Sequence, residues 1–484
     1  MAEKQIKQPS VSHPESGQDG TAGTRRGDLA DVDYSVFTVS QRRYIVFMAS
    51  WAGFFSPVSS QIYFPALNTL AKDLHVSNSL INLTLTSYMI FQGLSPMFIG
   101  DFADKAGRRP AYIVCFTIYI AANIGLALQN NYAALFVFRC LQSAGSSTTI
   151  ALSSGVVSDV ATASQRGSYM GLVTAGSLMG PSVGPVALEV YSAFMIPFLL
   201  FFPETARGIV GDGSLPPQKW NMPLISYLKS RKAREESVVS TATAPKQKLK
   251  FPNPLQTLAI VFQKDTSLIL FCNAILFCWI LRHDLQVGLC YIPFGLGATI
   301  ASIVNGKFLD LNYRRLAKQL NFPLTKNRET DLRNFPIEKA RLQIAFPLLA
   351  LGSISVLAFG WFLNYGIHLA APTCILFLMG LTLTGAFNTI STLLVDLYPT
   401  QAAKATAANN LGRCLLGAGA TALIDPMLSA MGRGWCFTFI ALVMMATTPL
   451  LLIVIRKGPD WREERRLKEE AKNTGNGNVS RSQK

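Results

Sequence analysis

Arg139 stands inside an apolar run, 133–147, as Arg139-Cys-Leu-Gln142-Ser-Ala-Gly145. A guanidinium this deep in hydrophobic sequence costs about 2.5–3.5 kcal/mol on bilayer-insertion scales, and it usually faces a cavity or a partner. The plainer alternative, a side chain snorkelling to an interface, fits less well, because the nearest polar turn, Gln129-Asn130-Asn131, is two helical turns away. A second group is Gly100-Asp-Phe-Ala-Asp104-Lys-Ala-Gly107-Arg108-Arg109, which packs two acids, three bases and two glycines between the apolar runs 80–99 and 110–128. A third is Gly176, Gly180-Pro181 and Gly184-Pro185, glycines four apart on one helix face. Such a stripe lets two helices approach closely, and generic small-residue packing is its competing reading. No nucleophile with its base, no metal-ligand spacing and no phosphate loop accompanies them. The chemistry is charge placement in an apolar setting, and an enzyme is not expected.

The elements that position these groups follow from composition. Of 484 residues, 50% are hydrophobic and only 15% charged, against about a quarter charged in soluble chains. Mean hydropathy is +0.29. Charge is confined to islands between apolar runs of about 20 residues, the length of a bilayer crossing. Backbone groups in lipid must be satisfied within each segment, so the runs are helices of a polytopic membrane protein. The net charge of +16 lies in loops and tails, where it sets orientation and meets lipid headgroups. Nucleic acid is therefore not an expected partner; membrane lipids are. All eight cysteines fall within apolar runs without metal spacing, which makes them packing residues.

Residues 1–43 are polar and read as a disordered cytoplasmic tail. Six spans in 44–203 form a first bundle, a cytoplasmic linker covers 204–265, and six spans in 266–455 form a second bundle. Residues 456–484 are a basic cytoplasmic tail. Basic islands inside, with almost no charge in the opposite turns, put both termini in the cytoplasm. The second bundle repeats the charged loop: Gly306, Asp310, Arg314 and Arg315 reproduce the offsets of Gly100, Asp104, Arg108 and Arg109, with Tyr313 in place of Gly107. A degenerate copy at the equivalent turn of each half indicates an internal duplication.

The loop resembles the Gly-x-x-x-Asp-x-x-Gly-Arg-Arg signature of the major facilitator superfamily, in which it latches the two halves on the cytoplasmic face. Arg139, Gln142 and Gly145 resemble the span-4 signature of its proton-coupled drug exporters. That resemblance implies a proton-coupling role for Arg139. Gly176, Gly180, Pro181, Gly184 and Pro185 are similar to the span-5 antiporter motif of exporters, where they bend the helix and seal against proton leak. From about residue 42 to 457 the chain resembles the fungal twelve-span drug:proton antiporters, within them the quinidine-resistance (Qdr-type) branch. The stretches that carry this are Trp51-Ala-Gly-Phe-Phe-Ser-Pro57, Tyr63-Phe-Pro-Ala-Leu67, Phe202-Pro-Glu-Thr-Ala-Arg207, Asp331-Leu-Arg-Asn-Phe-Pro336, Gly385-Ala-Phe-Asn388 and Met431-Gly-Arg-Gly-Trp-Cys436.

The resemblance implies a monomeric all-α polytopic fold of two six-helix bundles in the plasma membrane, driven by the proton gradient without a cofactor. It would export drugs, organic cations or other amphiphilic small molecules. Export of an endogenous polyamine or secondary metabolite, or a truncated relative without transport, are the alternatives. Gln61, Tyr63, Gln92 and Asn388 are candidate cavity residues, with interhelical packing as their competing reading. Asp159, Arg166 and Asp396 are read as orientation or interhelical pairing as readily as transport. Two stretches depart from the family: span 6 is reduced to 190–202 and span 7 to 266–281, both short of the hydrocarbon thickness. His283 and Asp284 read as a junction beside a lost segment, and less readily as a proton-sensing pair.

Overall fold

The computed structural model describes residues 34–61, 63, 67–183, 190–215, 217–218, 221–223, 253–278, 288–322, 335–368 and 370–481. Every regular element among them is an α-helix. In the first half these are α1 (Val39–Gln61), α2 (Leu67–Asp73), α3 (Asn78–Ala106), α4 (Arg108–Leu128), α5 (Tyr132–Val160), α6 (Ala163–Val183), α7 (Val190–Phe201) and α8 (Arg207–Val210). The second half holds α9 (Pro254–Val261), α10 (Lys264–Cys278), α11 (Gly288–Gln319), α12 (Ile337–Asn364), α13 (Ala370–Leu397) and α14 (Ala402–Arg481). Helix α14 is two helices joined at Gly432, whose φ of 74° breaks the helical path.

Each half has its own buried apolar cluster. The first centres on Tyr112, Phe116, Phe198 and Phe202, where Phe198 stacks on Phe202 at 4.3 Å and meets the Tyr112 and Phe116 rings at 5.0 Å. The second gathers Ile269, Tyr313, Phe335, Leu349, Phe359 and Phe437. The outward faces of the same helices leave Leu83, Ile90, Leu94, Ile354 and Leu442 exposed, as suits a lipid solvent. The halves meet along two seams, α6 on α11 and α3 on α14. At the first seam a Cβ on Gly306 would stand 2.6 Å from the Gly167 carbonyl oxygen, so the backbones touch.

Among the described residues, four segments are long and apolar enough to cross a bilayer: α4, α12, α13 and Pro426–Lys468 of α14. The pair α9–α10, bent by 84°, makes up to five. Others are interrupted by polar side chains: α5 carries Arg139, Gln142 and hydroxyls at 143 and 146–149. The stretches expected as shortened spans 6 and 7 hold α7 and α10, which border residues 184–189 and 279–287 outside the described ones. Part of the stretch expected as linker is ordered: α9 crosses beneath α3, with Thr257 donating to the Met97 carbonyl at 3.3 Å and the Asn253 amide to Asp101 at 2.7 Å. The basic tail continues α14 as helix to Arg481. Residues 1–33, His283 and Asp284 lie outside the described residues.

Candidate functional site: a charged latch and a buried arginine

Gly107 separates α3 from α4 with a φ of 114°, and a Cβ there would run into the Glu204 carboxylate. Only glycine fits both demands. The break leaves the first amides of α4 without a local side-chain cap, and Glu204 supplies it from the segment after α7. Its Oε1 accepts from the Arg108 amide at 2.8 Å and its Oε2 from the Arg109 amide at 3.1 Å. A carboxylate there also faces the positive end of the helix dipole. Burial pushes the Glu204 carboxyl above its ordinary value, and the amides of Ala206, Arg108 and Arg109 pull it only part of the way back.

Thus positioned, Arg108 reaches Asp104 at 2.5 Å and Asp159, at the end of α5, at 2.9 Å. Arg109 instead donates to the Leu199 carbonyl at 2.9 Å, tying α4 to α7. Gly100 lies 3.5 Å, measured from an added Cβ, from the Ala403 carbonyl oxygen at the start of α14. There Lys404 meets Asp101 at 2.8 Å, an ion pair between the halves.

The second half builds the same triangle with one substitution of parts. Asp310 accepts from the amides of Gly167 and Ser168, both at 2.9 Å, across the seam beside Gly306. The guanidinium beside it is Arg341 at 3.7 Å, not Arg314, which is exposed. This corrects the assignment of Arg314 by offset. Without a helix-breaking glycine, α11 runs straight through Tyr313 to Gln319 and carries Arg314 and Arg315 outward. The next helix, α12, starts later, and Arg341 in its first turns takes the place that Arg108 holds on α4. Arg341 also binds Asp396, at the end of α13, at 2.8 Å, and Asp396 binds Arg166 of the first half at 2.7 Å. The tail closes over this end: Arg465 meets Asp265 at 3.0 Å and Arg462 donates to the Phe335 carbonyl at 3.0 Å.

Arg139 sits apart from the latch and is 2% exposed. Its Nη1 donates to Gln142 at 2.6 Å and to the Ser59 carbonyl at 3.4 Å. Gln142 in turn donates to Asn123 at 2.7 Å. The guanidinium carbon lies 3.9 Å from the ring centre of Tyr63 and 4.3 Å from that of Tyr88, a cation–π contact with each. Gly145 lets α5 close on α4, since a Cβ would stand 2.7 Å from the Cys115 carbonyl oxygen.

Asn388 is an interhelical amide: its Oδ1 accepts from Thr174 at 3.1 Å, joining α13 to α6. Gln92 contributes its carbonyl oxygen to Asn410 of α14. Gly176 lies against Ser50 of α1. Gly180 and Pro181 fall in the last turn of α6. Gly184 and Pro185 lie outside the described residues, as does the Gln61 side chain. Sequence reasoning missed Glu204, Arg341, Asp101 and Lys404 as latch members; the signal available for Arg341 was a base in the first turns of the helix after the repeated loop.

Two helical halves, each with its own core, joined along two seams and locked by charge at one end, define a multi-pass membrane transporter. The profile described as "Major Facilitator Superfamily" matches residues 49–422. The chain belongs to that superfamily, and is a transporter rather than an enzyme. It is 44% identical to the MFS-type transporter phiD of Fungal sp. (strain ATCC 74256), over 92% of this chain and 72% of that protein. It is 33% identical to Citrate exporter 1 of Aspergillus niger, over 92% of this chain and 91% of that protein. Among solved structures it resembles the proton:xylose symporter XylE, with a TM-score of 0.58 at 12% identity, covering 87% of this chain and 96% of that one. It also resembles the human organic anion transporter MFSD10, with a TM-score of 0.55 at 15% identity, covering 86% and 100%. These two likenesses concern the fold.

Proposed function

We propose that this transporter is a monomeric, proton-coupled exporter of amphiphilic small molecules that works by alternating access in the plasma membrane. One observation carries the reading: among the described residues, every ion pair joining the halves lies at the latch end. In this reading the halves rock about the seams by breaking and remaking Arg166–Asp396 and Lys404–Asp101. The bases around the latch support a cytoplasmic face for it, with both termini inside. Export rather than uptake is supported by the glycine stripe of α6, where Gly176 lies against Ser50, and by the likeness to a citrate exporter.

A guanidinium stays protonated at physiological pH. Arg139 therefore takes part in coupling through its fixed charge, not by releasing its own proton. The test is efflux from proteoliposomes loaded with fluorescent anionic, neutral and cationic amphiphiles under an imposed pH gradient. At least one should leave faster with the gradient, and a protonophore should remove the gain. Efflux of every probe at the rate of protein-free vesicles would sink the reading. A transport-incompetent relative is the second reading, favoured by the short apolar run 190–202.

A further inference from the structure

Among the described residues, the cation on α5 has no ion-pair partner; Glu189 of the same bundle lies outside them. No Asp or Glu occurs at 34–72, 74–100 or 105–158, the segments that supply α1, most of α3, α4 and nearly all of α5. The described carboxylates that are buried belong to the latch end: Asp101, Asp159, Glu204, Asp265, Asp310, Glu338 and Asp396. Arg139 is nevertheless 2% exposed, and an uncompensated buried charge is among the costliest features a fold can retain.

The orientation of the guanidinium gives the cost a use. Nη1 is held by Gln142 and Ser59, and the guanidinium carbon lies over the rings of Tyr63 and Tyr88. Nε and Nη2 are buried and have no hydrogen-bond partner among the described residues. These two atoms form the edge through which arginine grips a carboxylate with two parallel hydrogen bonds. The supports are themselves fixed: Tyr63 shares a hydrogen bond with Thr84 at 2.9 Å, Tyr88 with Ser146 at 3.3 Å, and Gln142 donates to Asn123. The edge is preorganised and, among the described residues, empty of protein partners.

We propose that the Nε–Nη2 edge of Arg139 is the headgroup site of the substrate, and that the exported class is organic carboxylates whose apolar body lies against Tyr63 and Tyr88. The proposal rests on the export reading above and narrows it: organic cations and polyamines are repelled. An anion leaving a cell with a negative interior is also driven outward by the membrane potential, by about 2.3 kcal/mol per charge for each 100 mV.

The experiment uses the full chain, purified and reconstituted, with naphthylacetate, naphthylacetamide and naphthylethylamine as probes of one aromatic body. Naphthylacetate should raise the thermal unfolding midpoint and leave loaded vesicles, while the amide and the amine do neither. Arg139→Lys keeps the charge but not the two-pronged geometry. It should weaken naphthylacetate binding by about tenfold or more, the loss of one charge-assisted hydrogen bond. If that variant does not fold, the unaltered protein still decides: binding must fall as pH drops through the probe's own carboxyl pKa. Equal binding of the amine, no binding of naphthylacetate, or unchanged affinity in folded Arg139→Lys would each overturn the anion site. Gradient-driven efflux of neutral or cationic amphiphiles from the same vesicles would leave the export reading standing. Only failure of every probe removes both.

Discussion

Arg166 and Asp396, 230 residues apart, meet at 2.7 Å with side chains 3% and 0% exposed. The pair joins the first turn of α6 to the last turn of α13. Asp396 simultaneously holds Arg341 at 2.8 Å, so one carboxylate serves a cation from each half. Asp159 stands at the matching end of α5, where Arg108 occupies it at 2.9 Å. The two halves therefore close their own triangles, Asp104–Arg108–Asp159 and Asp310–Arg341–Asp396, and each is met from the other half, Asp396 by Arg166 at 2.7 Å and Asp104 by Lys404 at 3.9 Å. A latch built this way releases as a unit, because parting the halves strips Asp396 of one of its two cations.

Arg341 and Arg314 separate the structural assignment from the assignment by offset. Arg341→Ala leaves Asp396 and Asp310 buried with one cation fewer, and removing one member of a buried ion pair costs about 3–5 kcal/mol. Arg314 is exposed and stands outside the triangle, and a surface substitution of that kind stays within about 0.5 kcal/mol. Thermal unfolding in detergent should show a large drop for the first and almost none for the second. Equal effects would restore Arg314 to the latch.

The bundle architecture was legible because lipid forces each apolar run into a helix, and because Gly107 and its neighbours form a loop with no simpler purpose. The first triangle was half legible: Asp104 and Arg108 lie in one motif, while Asp159 and Glu204 arrive from 51 and 96 residues away. The second was misread at Arg314, since an offset repeat assumes an unchanged turn. Here the turn lengthened and the cation moved to the next helix. Arg139 was legible as a buried charge, but its free edge was not. That depends on which of its nitrogens Gln142 and Ser59 take, and on tyrosines from two other segments.

At the seam between α6 and α11, Gly306→Ala places a methyl 2.6 Å from the Gly167 carbonyl oxygen and 3.1 Å from the Ser168 Cα. Backbone is the obstacle, so the helices must separate, and overpacking of this sort costs about 1–3 kcal/mol. Gly419 on α14 has nothing within 4 Å, and Gly419→Ala should gain up to about 1 kcal/mol of helix propensity. Opposite shifts of the unfolding midpoint are expected. The seam variant should also expose cysteines introduced at Ser168 and Leu309 to a thiol reagent faster than the parent does. Identical labelling would mean that the contact does not hold the latch closed.

Glu204 gives the latch a dependence on pH whose sign follows from its burial. Burial raises its carboxyl above the ordinary value despite the amides it accepts from. The folded state then binds a proton more tightly than the unfolded chain does, and stability falls as pH rises through the window above the ordinary carboxyl value of about 4.3. The ionised form still caps α4, so the loss is partial. Glu204→Gln keeps an acceptor for the Arg108 amide but cannot titrate. Its unfolding midpoint should vary less between about pH 5 and 7 than that of the parent protein. Glu204→Ala removes the cap as well and should lower the midpoint at every pH, by about 0.5–2 kcal/mol in stability. Parallel pH profiles for the parent and Glu204→Gln would show that the proton is taken up elsewhere in the latch, with Asp104 and Asp159 as the next groups to replace.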